Sequence, residues 1–114
     1  MLNLRSNRIT ALPDEVCRMS ELRVLDISGN RFQTFPSFIL NNSKIQTVIV
    51  QDNQIIEVDT DLLKGASLSL KELNLCENPL SRHCHSQLEY IREEGGFTFC
   101  LAYSPAEDNF ADID

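Results

Sequence analysis

Four asparagines frame this chain. They stand at Asn7, Asn30, Asn53 and Asn78, spaced 23, 23 and 25 residues apart. Each closes a run of aliphatic residues with the same internal spacing. Leu22, Leu25 and Ile27 precede Asn30; Ile45, Val48 and Val50 precede Asn53; Leu70, Leu73 and Leu75 precede Asn78. The first copy enters late and keeps Leu2, Leu4 and Asn7. The register continues past each asparagine. Ile9, Phe32, Ile55 and Leu80 follow two residues on, then Leu12, Phe35 and Val58, before the fourth copy breaks at His83. A second apolar set closes each turn: Val16 and Met19, Phe38 and Ile39, Leu62 and Leu63. The extra length of the last interval falls near Lys64–Leu68. Self-similarity at a fixed period of a few tens of residues is the mark of stacked repeats.

The physics of such a unit restricts the fold. Two aliphatic residues separated by one position point to the same face of a short strand. One turn cannot bury that face alone, so successive turns stack and their strands form a parallel sheet. Leu25, Ile27, Val48, Val50, Leu73 and Leu75 are therefore expected to line one continuous core. Each asparagine lies where the chain leaves its strand and the backbone loses ladder partners. Its amide both donates and accepts, so it can satisfy those groups. Asn7, Asn30, Asn53 and Asn78 are read as structural, with Asn30 and Asn53 buried.

The run Leu-x-x-Leu-x-Leu-x-x-Asn, met three times in full, resembles the leucine-rich repeat superfamily over roughly residues 1–84. The 23-residue spacing with Leu12-Pro13 is similar to the short intracellular class of these repeats. The segment LDISGNRFQTFP, with the later NPL, looks like small cytosolic leucine-rich-repeat-containing proteins of animals. The resemblance implies an α/β solenoid: a curved parallel sheet on the concave face, with short helices, 3-10 turns and loops on the convex face. Secreted members often close with a cysteine-rich flank. Asn78-Pro79-Leu80 followed by Cys84 is similar to its opening, but His83-Cys84-His85 stands where that flank has a Cys-x-Cys pair, and the chain has no Trp.

Three segments are expected: repeats over 1–85, a C-terminal cap over 86–103 and an acidic tail over 104–114. Ser86-Gln87-Leu88-Glu89 reads as a capping box opening the cap helix, and Gly95-Gly96 as its stop. Phe97, Phe99 and Leu101 then alternate with Thr98, Cys100 and Ala102, which reads as a strand. Phe110 is the tail's one candidate anchor. At the other end the first turn lacks its leading leucine and the polar cap of a terminal repeat. Leu2, Leu4, Ile9 and Leu12 are expected to face solvent on one side. The expectation is a fragment or truncated isoform of a longer protein, or end-to-end association through the uncapped turn.

Charge and composition exclude whole classes of function. The chain of 114 residues carries a net charge of −7. From residue 89 onward there are seven acidic residues and one base, so residues 1–88 are nearly neutral. A general nucleic-acid binder needs a cationic face, which this balance argues against. No apolar run is long enough for a membrane span. The N-terminus shows no secretory signal, so the four cysteines at 17, 76, 84 and 100 are read as reduced thiols in the cytosol or nucleus. Asn41-Asn42-Ser43 is a glycosylation sequon that such a location leaves unused.

Catalysis finds little support. Cys76, His83, Cys84 and His85 are the only metal-like group, and adjacent His-Cys-His side chains diverge rather than converge on one ion. They are read as a polar turn before the cap helix. No phosphate loop or catalytic triad is present. The reading is a non-enzyme with no metal and no cofactor.

What remains is the concave strip. The residues alternating with the core positions are Arg23, Val24, Asp26 and Ser28 in the second turn, Gln46, Thr47, Ile49 and Gln51 in the third, and Lys71, Glu72, Asn74 and Cys76 in the fourth. All are expected to point outward. One column runs Asn3, Asp26, Ile49, Asn74, the next Arg5, Ser28, Gln51, Cys76. A rigid strip costs little entropy on binding, and Val24 with Ile49 form a diagonal apolar pair. The function expected is a non-catalytic protein-interaction module, an adaptor or scaffold, whose partner is another protein. An extracellular receptor or matrix fragment and a regulatory subunit of an enzyme are the alternatives.

Overall fold

The computed structural model describes residues 1–95 and 97–105. Gly96, and residues 106–114 of the expected acidic tail with Phe110, lie outside the described residues. The chain runs β1 (Leu2–Asn3), α1 (Asp14–Cys17), β2 (Val24–Asp26), a 3-10 helix (Ser37–Asn41), β3 (Thr47–Ile49), α2 (Thr60–Lys64), β4 (Glu72–Asn74), α3 (Arg82–Glu93) and β5 (Cys100–Ala102). The five strands form one sheet in chain order, and every neighbouring pair is parallel. This is the leucine-rich repeat architecture that the resemblance implied.

The register matches the repeat. Leu2, Leu25, Val48, Leu73 and Leu101 are partners across all five strands. Leu25, Ile27, Val48, Val50, Leu73 and Leu75 are wholly buried and belong to one apolar cluster. Phe32, Ile39, Leu40, Leu63 and Leu80 complete it from the return segments. Leu2, Leu4, Ile9 and Leu12 are only partly buried against this cluster. The extra residues of the third interval form the turn after α2, where Leu68 is 88% exposed. Added length there leaves the stack undisturbed.

Each turn leaves its strand through the same backbone bend. Ser6, Gly29, Asp52 and Glu77, the residues preceding the four asparagines, all have positive φ. At Gly29 the turns also approach closely: a Cβ there would lie 3.0 Å from Ser6 Oγ, so glycine suits both the positive φ and the space.

The convex segments of the first two turns start after Pro13 and Pro36 without a side-chain cap, whereas α2 and α3 are capped. Asp59 Oδ1 accepts the Asp61 N–H at 2.9 Å and opens α2. At the C-terminal end the structure corrects the sequence reading. The N-cap of α3 is Ser81, whose Oγ accepts the Cys84 N–H at 3.0 Å. Ser86 lies inside the helix, and Glu89 serves another purpose. His83, Cys84 and His85 are therefore helical, not a polar turn. Cys84 and Leu88, four apart, are buried on the helix face that covers the last repeat. Gly95, at φ +69°, takes the left-handed conformation just past the helix. Phe97 and Phe99 pack with ring centroids 5.4 Å apart, and β5 adds a fifth strand over the open edge of β4.

Candidate functional site

The asparagine positions and the strand face divide the labour of each turn. Asn30, Asn53 and Asn78 are buried. Asn53 donates through Nδ2 to the carbonyls of Ile27 and Val50, at 3.0 and 3.1 Å, and accepts the Phe32 N–H at 3.0 Å. Asn78 repeats this one turn later with Val50, Leu75 and the Ile55 N–H. Asn30 reaches back to the Leu4 carbonyl and the Asn7 and Ile9 N–H groups. Each amide thus ties its own turn to the preceding one through backbone groups, not through the next asparagine. Such buried polar groups are fully satisfied, which is the condition for their tolerance in a core. Asn7 differs. It is exposed, and its Nδ2 bonds only to the carbonyl of Arg5 in its own turn.

On the strand face, the column Asn3, Asp26, Ile49, Asn74 is confirmed by the register and extends to Ala102. Its exposure is not uniform, and two expectations fail. Asp26 and Ser28 are buried. Asp26 Oδ1 accepts the Ser28 N–H at 3.0 Å and the Ser28 hydroxyl at 2.7 Å. A short carboxylate at the strand end turns back onto the departing chain, so these two residues stabilise the bend and are not offered outward. The same closure recurs at Asn3, which accepts the Arg5 N–H at 3.0 Å, and at Asn74, which accepts the Cys76 N–H at 2.9 Å. Ile49 interrupts the series with an apolar side chain.

The remaining expected face residues stay at the surface. Arg23, Lys71 and Glu72 are exposed; Val24, Gln46, Thr47, Ile49, Gln51, Asn74 and Cys76 are half-buried. Asn74 Nδ2 donates to Gln51 Oε1 at 3.3 Å and fixes both side chains on the strip. Val24 pairs with Thr47 and Ile49 with Asp26, so Val24 and Ile49 sit diagonally, two residues apart. They are the apolar centre of a polar strip.

The C-terminal cap holds a side-chain cluster that the sequence did not announce. The Tyr103 hydroxyl donates to Glu89 Oε1 at 2.6 Å. The Arg92 guanidinium lies 4.6 Å from the centre of the Tyr103 ring and donates to the Leu101 carbonyl. His85 meets the same ring edge-on at 5.6 Å. Burial, then the bond to Glu89, pushes the Tyr103 phenol up to about 12. The contributors stand up to eighteen positions apart, on α3 and beyond β5, with no local motif to signal them.

Among the described residues, no group of His, Cys, Asp and Glu is arranged to hold a metal ion. Cys76, Cys84 and Cys100 are free thiols. Burial pushes the Cys84 thiol above its ordinary pKa, away from the nucleophilic thiolate. Among the described residues no helix is long and apolar enough to cross a membrane.

Comparison with known proteins agrees with this geometry. The Leucine Rich Repeat family matches residues 21–42. Mouse PH domain leucine-rich repeat-containing protein phosphatase 1 is 30% identical over 112 residues, covering 80% of this chain and 7% of that protein. Adenylate cyclase of Schizosaccharomyces pombe is 29% identical over 91 residues, covering 80% of this chain and 5% of that protein. The chain thus spans less than a tenth of the length of these curated relatives. A chain from the crystal structure of the Drosophila melanogaster SNF/U2A' complex matches with a TM-score of 0.62 at 18% identity, covering 97% of this chain and 63% of that one.

Proposed function

We propose, from the premise that this chain belongs to the leucine-rich repeat superfamily, that it is a non-catalytic protein-interaction module of the cytosol or nucleus, an adaptor or scaffold that takes its partner on the strand face. The observation that carries this reading is the half-buried apolar pair Val24 and Ile49, set diagonally in an otherwise polar strip on a hydrogen-bonded sheet. A rigid strip with an apolar centre and a polar rim has the anatomy of a recognition surface. Arg23, Thr47, Gln51, Lys71, Glu72 and Asn74 supply the polar surround, and Gln46 and Cys76 its margins. Asp26 and Ser28 are excluded, because their polar atoms are committed to each other.

A second reading is favoured by the relatives. The matching stretches lie in much longer proteins named as a phosphatase and a cyclase. Here the module would target or regulate an enzyme, through the same face.

Affinity capture from cell extract tests the proposal with three proteins: wild type, the face variant Val24→Asp/Ile49→Asp, and Leu62→Asp on the exposed side of α2. Partners retained by Leu62→Asp and lost by the face variant support the strand face. Partners captured equally by all three overturn it.

A further inference from the structure

The end of the strip formed by the first two turns carries an arginine cluster that the strand-face reading does not use. Arg5, Arg8 and Arg31 are all exposed. Arg8 and Arg31 are the residues that follow Asn7 and Asn30, so they occupy the same position in successive turns. The turns are in close contact at this point. The Asn7 N–H donates to Asn30 Oδ1 at 2.9 Å, the Arg31 N–H donates to the Ile9 carbonyl at 2.9 Å, and Gly29 abuts Ser6. Adjacent turns of a parallel stack lie about 5 Å apart, so two exposed arginines arise from neighbouring backbone positions. Arg5 is on the same turn as Arg8, at the head of the Arg5, Ser28, Gln51, Cys76 column. Among the described residues the ion pair is Lys44 with Glu21, and none of the three arginines meets a carboxylate.

The cluster stops abruptly. In the next two turns the positions of Arg8 and Arg31 are filled by Gln54 and Pro79, and the position of Ser6 and Gly29 becomes acidic, as Asp52 and Glu77. Residues 1–44 hold six Lys or Arg against four Asp or Glu, whereas residues 45–105 hold four against nine. The solenoid is electrically polarised along its stack.

We infer that the Arg5, Arg8 and Arg31 rim docks an acidic peptide segment of the partner protein. The inference rests on the strand-face reading and adds the partner's chemistry at one end of it. Stacked like charges repel, and a carboxylate between them turns that repulsion into attraction. The planar fork of arginine suits a bidentate carboxylate better than the point charge of lysine. The polarity also selects the class of partner. A nucleic acid long enough to follow the strip carries uniform negative charge into Asp52 and Glu77. A short acidic segment ends where the arginines end.

Fluorescence anisotropy of a labelled oligoglutamate peptide tests this at low salt, where exposed charges are least screened. Saturable binding to the wild type is expected, weakened about tenfold or more in Arg8→Glu/Arg31→Glu. The charge-matched control Arg18→Glu/Lys64→Glu keeps the wild-type affinity, and thermal melts of both variants confirm folding. Val24→Asp/Ile49→Asp also keeps peptide binding, so failure of the strand face and failure of the arginine rim are told apart. Absence of saturable binding, equal weakening in the two charge-reversed pairs, or tighter binding of labelled oligothymidylate than of oligoglutamate each overturns the inference.

Discussion

The first and fourth turns carry the same repeat and hold it with different strength. In the fourth turn Leu73, Leu75 and Leu80 are wholly buried, and Asn78 is bonded to two carbonyls of its own turn and to groups of the turn before. In the first turn Leu2, Leu4 and Ile9 are partly buried, and the Asn7 side chain bonds only within its turn. The residue types are alike. The difference is the number of neighbours: the fourth turn is sandwiched between the third and the β5 cap, while among the described residues the first is paired with the second alone. In a solenoid, stability belongs to the interfaces between turns as much as to the turns themselves.

Removing apolar bulk tests that contrast with the largest expected effect. Leu73→Ala opens a cavity between β3 and β5 and is expected to cost about 3–5 kcal/mol, read from the urea midpoint. Leu4→Ala, with part of its surface already wet, is expected to cost about 1 kcal/mol. Equal losses would show that the first turn is packed as tightly as the fourth.

The asparagines sharpen the comparison at somewhat smaller scale. Asn78→Ala strands the Ile55 N–H and leaves the Val50 and Leu75 carbonyls short of a donor in a buried place. The expected loss is about 2–4 kcal/mol by denaturant titration. Asn7→Ala removes one exposed bond and is expected to stay within about 0.5 kcal/mol.

The parts of this architecture that were legible in the sequence are those repeated in register. The column Leu25, Val48, Leu73 and the buried amides follow from spacing alone, because each copy repeats the same physical demand. What was not legible arises once, or depends on where a side chain turns. Asp26 looks like an outward residue by alternation, yet its carboxylate is short enough to bond Ser28 behind it. Ser86 with Glu89 matches a capping box, but the helix begins at Ser81. The overlooked signal was Cys84: read as apolar, it starts a stripe with Leu88 and Ile91 that requires the earlier start. Of the strand face, the columns were legible and the exposure of each member was not. The Tyr103 cluster had no sequence signal, since its members meet only after β5 has paired with β4.

That cluster distinguishes the covered end from the open one and supplies the next test. Arg92→Ala removes the cation over Tyr103 and the donor to the Leu101 carbonyl, and is expected to cost about 1–2 kcal/mol in thermal melts. The loss should fall on the cap first, seen as faster amide exchange at Leu101 and Ala102 than at Val48 and Ile49.

The effect confined to strongly alkaline solution is the pH dependence that Tyr103 gives the cap. Its phenol ionises near 12 in the folded chain, because burial and the Glu89 carboxylate both disfavour the phenolate, whereas an unfolded tyrosine ionises near about 10. The folded state therefore holds its proton more tightly. The stabilisation is fully present below the unfolded value and is lost as pH rises from about 10 towards 12. In a Tyr90→Phe background Tyr103 is the sole tyrosine, so tyrosinate absorbance reports it directly and should rise near 12 while the circular dichroism still shows a folded sheet. A midpoint near 10 in the folded protein would mean that the ring is not held against α3, and that the β5 end is as open as the first turn.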